Sequence, residues 1–158
     1  MPARELPKIK FPESVIQRAI ASWLLSLEGN FGGFTFSHPP NESRRSKAQG
    51  GILKASGMRA GDPDFVFYCR NGLVFFVELK VDGSKLTPIQ RERRDTFVAL
   101  GFPYYVIETS EIGAALWAMQ TIMIEMTVWP LDYKIENDLF RDRVCISLDA
   151  PRDDGCST

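Results

Sequence analysis

Val74-Phe75-Phe76-Val77 is an apolar run of the kind that fills a buried strand, and it leads directly into Glu78-Leu79-Lys80. Fourteen residues earlier, Gly61-Asp62-Pro63-Asp64 delivers a carboxylate to the start of a second apolar run, Phe65-Val66-Phe67. Burying an unpaired charge is costly, so a fold that accepts both segments must bring these charged groups together or give each a partner. Arg70-Asn71-Gly72 between the two runs is a hairpin signal, and its length decides which outcome is possible. A two-residue Asn-Gly turn sets Asp64 opposite Leu79. A three-residue loop ending in a left-handed Gly72 sets Asp64 opposite Glu78, on one face.

Side chains alternate along a strand, so Glu78 and Lys80 project from the same side about 6.6–6.8 Å apart along the backbone. Hard divalent ions prefer oxygen ligands and commonly take one or two carboxylates, which Asp64 and Glu78 supply, with the backbone carbonyl of Leu79 as a further donor. Phosphodiester hydrolysis needs a deprotonated water and stabilisation of charge on the phosphoryl oxygens, and a metal provides both. Lys80 would then orient the water and balance charge. The competing reading of an isolated Glu-x-Lys is a pair of strand-end charges worth under about 1 kcal/mol. Gly61-Asp62-Pro63-Asp64 standing before it favours the site.

Elsewhere the pattern predicts helices on either side of this hairpin. Pro12 precedes Ile16, Ile20, Trp23, Leu24 and Leu27 at helical spacing, which predicts a first helix over Pro12 to Glu28 with Glu13 and Gln17 at the edge of its apolar stripe, looking inward. Both also suit a helix N-terminus through the dipole alone. Gly33 to Ser37 reads as a short strand, followed by a polar, basic loop from His38 through Gly51. Thr87-Pro88-Ile89-Gln90 carries an N-cap, a first-turn proline and a capping-box glutamine, with Gly101 closing the helix. Phe102 to Ile107 reads as a strand, Glu111 to Met126 as a helix, and Val144 to Leu148 as an edge strand. Ala150 to Thr158 has the composition of a disordered end.

The 158 residues, 44% of them hydrophobic, are enough for one domain with a real core. The net charge of -1 says nothing about nucleic acid, but the charges are unevenly spread. Arg44, Arg45, Lys47, Lys54 and Arg59 face only Glu42 between Asn41 and Ala60; Lys85, Arg91, Arg93 and Arg94 form a second basic group; acid collects after Glu125. Asn41, Arg44, Arg45, Arg59, Lys85 and Arg91 are the candidate phosphate contacts. The alternative for these runs is an ordinary solvated face. His38, the single histidine, has no nucleophile or second ligand beside it in sequence and is read as a loop-positioning residue. Cys69, Cys145 and Cys156 are odd in number and lack a Cys-x-x-Cys pair, which predicts free thiols. Met1 to Lys10 has no apolar h-region, and no run approaches the about 18 residues of a membrane span, so the expectation is a cytoplasmic protein of a bacterial or phage-infected cell, or a nuclear one, and not a secreted one.

Taken in order, Glu13-x-x-x-Gln17, His38-Pro39-Pro40-Asn41-Glu42 with a following Arg, Gly57 before Gly61-Asp62-Pro63-Asp64, Val77-Glu78-Leu79-Lys80 and Thr87-Pro88-x-Gln90 resemble the virus-type replication-repair nuclease (VRR-NUC) branch of the PD-(D/E)xK superfamily. The match extends from Glu13 to about Gly113. The resemblance implies an α/β, restriction-endonuclease-like core with a mixed central sheet flanked by helices. It implies a Mg²⁺- or Mn²⁺-dependent nuclease in which Asp64, Glu78 and Glu13 bind the metal, Lys80 assists the attacking water, and Gln90 flanks the site with support from Gln17. Capping-box geometry accounts equally well for Gln90. Asp62 falls at the variable position of the motif. Compact members resemble homodimeric enzymes that resolve four-way junctions in DNA repair, and Trp117, Ile122, Ile124 and Trp129 supply either a dimer surface or the monomer's own core. The expected organisation is an extension over 1–11, the nuclease domain over 12–126 and a C-terminal extension over 127–158. A structure-selective DNA-binding module without turnover, a flap nuclease and a restriction-type nuclease are the alternatives.

Overall fold

The computed structural model describes residues 8–31, 33–39, 59–126, 128 and 138–149. Helix α1 (Glu13–Phe31) leads into strand β1 (Phe34–Ser37); β2 (Phe65–Cys69) and β3 (Val74–Lys80) follow, then helix α2 (Pro88–Ala99), β4 (Tyr104–Glu108), helix α3 (Ile112–Glu125) and β5 (Cys145–Asp149). The strands form one sheet in the order β1-β2-β3-β4-β5. Among the described strands only the β3–β4 pair is parallel. A parallel pair needs a crossover, and α2 supplies it.

The hairpin adopts the three-residue connection. Asn71 (φ 63°) and Gly72 (φ 75°) are both left-handed, and the Cys69 N–H donates to the Leu73 carbonyl at 2.8 Å. Phe65 therefore pairs with Val77 and Tyr68 with Val74. One step further, that register faces Asp64 to Glu78.

Alternation along the strands splits the apolar residues between two layers. On one face Phe65, Phe67, Phe75, Val77, Leu79, Tyr105 and Ile107 pack with Ile16, Ile20 and Leu24 of α1 and with Ala115, Ala118, Met119, Ile122 and Met123 of α3. On the other, Phe76 lies 4.2 Å from the ring of Phe97 in α2 and 5.6 Å from Phe102. Ile122 is thus interior, and Trp117 and Ile124 are partly buried against the same core; Trp129 lies outside the described residues. Helix α2 starts where its capping chemistry places it. Thr87 accepts from the Gln90 N–H, Gln90 accepts from the Thr87 N–H, and Gly101 (φ 93°) ends α2 with its N–H on the Val98 carbonyl.

The segment after Met126 returns to the sheet. Strand β5 pairs antiparallel with β4, the Phe140 ring sits against Gly113 at the start of α3, and Arg143 pairs with Glu111 at 3.1 Å. Among the described residues no helix is long and apolar enough to cross a membrane. Cys69 and Cys145 are free thiols, and burial pushes Cys69 up to about 11, leaving it a poor nucleophile. Phe67 is fully buried and stacked on Phe75 at 4.5 Å. Phe67→Ala should lower stability by about 3–5 kcal/mol, read as a shifted urea midpoint at unchanged slope.

Candidate active site

The site lies where β3 ends, β2 begins and the first turns of α1 and α2 arrive. Asp64, Glu78 and Lys80 are all buried, Glu78 completely. Each carboxylate receives at least one donor from another element. Asp64 Oδ2 accepts from the Leu79 N–H at 2.8 Å, and Oδ1 accepts from Gln17 Nε2 at 3.0 Å. Glu78 Oε1 receives Lys80 Nζ at 2.8 Å and Gln90 Nε2 at 2.5 Å. Glu13 faces inward, 3.5 Å from both Lys80 Nζ and Gln17 Nε2. Gln90 makes both contacts at once: its Oε1 completes the helix cap while its Nε2 donates to Glu78.

His38 sits against the same centre. Its ring stacks on Phe65 at 4.7 Å, and Nδ1 lies 2.6 Å from the Asp64 carbonyl oxygen. A carbonyl only accepts, so Nδ1 carries the proton in this contact. Gly61 has φ 85°, and a Cβ there would stand 2.8 Å from the Ile89 carbonyl oxygen and 3.2 Å from the Gln90 nitrogen. Glycine is thus what lets the loop before Asp64 press against the first turn of α2. Asp62 is tied to the same helix by Arg93 at 2.6 Å, and that guanidinium also covers the Phe97 ring at 4.4 Å.

The basic residues separate into two kinds. Arg93 is engaged by Asp62, and Arg94 by Asp95 and Asp149, so both serve the fold. Arg59, Lys85 and Arg91 are exposed, with Arg91 also donating to the Leu86 carbonyl at 2.9 Å. Asn41, Arg44 and Arg45 lie outside the described residues. The Arg93–Asp62 contact and the placement of Tyr104 beside the site were not read from the sequence. Both are long-range contacts with no local signal, although the opposite charges of Asp62 and Arg93 were available for pairing.

Electrostatically the cluster holds more carboxylate than cation. Burial, followed by the negative charge of Asp64, raises Glu78 to about 8, against the opposing attraction of Lys80. Burial alone would lower Lys80, but Glu78, Glu13 and Asp64 together outweigh it and raise its pKa, so the ammonium stays protonated. Among the described residues no three His, Cys, Asp or Glu side chains converge closely enough, as placed, to enclose a metal, because Lys80 stands between Glu13 and Glu78. The donor set nevertheless fits a hard cation. Glu78 Oε2 is buried with no hydrogen-bond partner, and the side chains of Asp64 and Glu13 bring further carboxylate oxygens to the same centre.

No family model matches the sequence. The protein named "Putative nuclease p44" of Acyrthosiphon pisum secondary endosymbiont phage 1 is 34% identical over 61 residues, which make up 39% of this chain and 66% of the phage protein. The chain thus spans just under two thirds of that relative's length. A solved structure described as a VRR_NUC domain superposes with a TM-score of 0.43 at 18% identity, covering 72% of this chain and 94% of that one. In class the molecule is an α/β protein whose five-stranded mixed sheet gathers an acidic, lysine-containing cluster at one end. The phage relative is named as a nuclease.

The raised pKa of Glu78 fixes the sign of a stability effect. A carboxyl raised from 4.5 in the unfolded chain to about 8 in the folded one contributes stability that is complete below the lower value and lost as pH rises through the higher one. In EDTA, Glu78→Gln should therefore gain thermal stability relative to the native chain as pH rises from about 5 to about 8.5. Melting curves that run parallel across that window would exclude it.

Proposed function

We propose that the protein is a metal-dependent nuclease of the VRR-NUC type that hydrolyses phosphodiester bonds in DNA, with branched DNA such as four-way junctions as its substrate. The observation that carries this reading is that Lys80 joins Glu13 and Glu78 at the end of the sheet where Asp64 is also buried. The name of the phage relative supports the same chemistry.

Asp64, Glu78 and Glu13, with the Leu79 carbonyl, would hold Mg²⁺ or Mn²⁺. When bound, the ion lowers the pKa of a water and offsets charge on the phosphoryl group. The protein's own groups do the rest. Lys80, kept protonated by its carboxylate neighbours, donates hydrogen bonds and positive charge beside the attacked phosphorus and orients the water. Gln17 and the Leu79 N–H hold both oxygens of Asp64, and Gln90 holds Glu78, so neither carboxylate has to reorganise as charge develops. His38 steadies the backbone of Asp64 through its carbonyl. Arg59, Lys85 and Arg91 contact phosphates without reading sequence, which makes binding salt-dependent.

The decisive experiment incubates the purified protein and its Lys80→Ala variant with end-labelled four-way junction, flap, single-strand and linear duplex DNA, and with RNA, in Mg²⁺ or EDTA. Paired symmetric incisions in the junction, lost with EDTA and in the variant, are expected from a homodimeric junction nuclease. Flap cutting alone, or one defined cut in linear duplex, would keep the chemistry and change the substrate. Retained, structure-selective binding with no metal-dependent cut would make it a binding module. Lys80→Ala should bind DNA normally and cut at least 100-fold more slowly, on the order of the loss seen when one preorganised donor is removed. Asp64→Ala should lose the calorimetric signal of Mn²⁺ binding; unchanged affinity would remove Asp64 from the metal set.

A further inference from the structure

Tyr104 opens β4 with none of its surface exposed, and its hydroxyl has no hydrogen-bond partner. Glu78 Oε2 is orphaned in the same way. Buried polar atoms are almost always paired, so two orphans in one place call for a reason. The register puts them together. Tyr104 pairs with Phe76 across the parallel β3–β4 ladder, Glu78 lies two residues beyond Phe76 on the same face, and a long aromatic side chain spans that diagonal. Burial, then the charges of Glu78 and Asp64, push the phenol's pKa up, and a side-chain interaction with Glu78 adds to the shift. The hydroxyl thus sits beside the carboxylate without completing a hydrogen bond to it.

The two oxygens of Glu78 are unequally supplied. Lys80 and Gln90 both donate to Oε1, which leaves Oε2 for a cation, and a carboxylate oxygen has capacity for a second contact. We infer that Tyr104 is a positioning residue of the metal site, its hydroxyl donating to Glu78 Oε2 and fixing the rotation of that carboxylate when a divalent cation is bound. Hydrogen bonds to a ligating carboxylate orient it and tune its affinity. The ring has a separate structural role, lying 6.2 Å from Phe76 and 6.5 Å from Phe97, and phenylalanine preserves those contacts. The inference rests on the metal-dependent reading above.

Tyr104→Phe separates the two roles. Titration calorimetry with Mn²⁺ should show about 10-fold weaker binding than the native chain, the lower end of what loss of such a partner costs. Melting in EDTA should be unchanged or higher, because the substitution deletes a buried hydroxyl that has no partner in the metal-free protein. Cleavage should be slow at low Mn²⁺ and recover as Mn²⁺ is raised, with KM for DNA unaltered. Equal Mn²⁺ affinity in the two proteins would overturn the inference and leave the nuclease reading standing. A native chain that binds no Mn²⁺ would remove the metal-dependent reading and the inference with it.

Discussion

The structure is organised around a carboxylate that has been taken out of water. Glu78 has no exposed surface, yet it ends a strand whose other face builds the main core. Desolvating such a group costs several kcal/mol unless hydrogen bonds and an opposite charge offset it. Lys80 supplies the charge from the same strand, two residues on, and Gln90 supplies a hydrogen bond from the helix that follows. Together they do not fully offset that cost, since the carboxyl is still displaced upward to about 8. The cluster is therefore under electrostatic tension that the apolar packing on the opposite face of the sheet must sustain.

Several ordinary devices are used twice to hold this arrangement. The capping glutamine of α2 reaches Glu78 with the end of its amide that the cap leaves free. Asp62 in the turn before Asp64 anchors Arg93, and Arg93 lies over Phe97, which packs on Phe76 of the site's own strand. Gly61 permits the close approach that makes both contacts possible. Function and folding are thus not separable at these residues. A change at Gly61 or Asp62 touches no reacting group, yet it moves the frame in which Asp64 and Gln90 are held.

Much of this was legible in the sequence because it is encoded locally. The Thr87-Pro88-Ile89-Gln90 cap, the glycine stop at Gly101 and the apolar stripe of α1 are short-range signals, and each reappears in the helices. The hairpin was legible only as a choice between two registers, since Asn71-Gly72 suits either loop; tertiary pairing selected the one that faces Asp64 to Glu78. The inward turn of Glu13 followed from helical geometry. The partnering of Asp62 with Arg93 did not, because it joins residues from different elements. Tyr104 read simply as a strand aromatic, since nothing local distinguishes a hydroxyl in the core from one beside a carboxylate. Ile122 shows the opposite limit: an apolar residue at helical spacing serves a core or an interface equally well until the sheet beneath it is known.

The cluster draws on stretches far apart in the chain. Glu13 meets Lys80 across 67 positions, and Gln17 meets Asp64 across 47. A chain being synthesised from its N-terminus therefore exposes its acidic helix long before the lysine or the second glutamine has been made. No fragment that ends before Gln90 contains the complete set, and the parallel β3–β4 pair that fixes the end of β3 forms only after α2 has crossed over the sheet. The centre is consequently assembled only as the fold is completed, and a half-made chain still lacks Lys80 and Gln90.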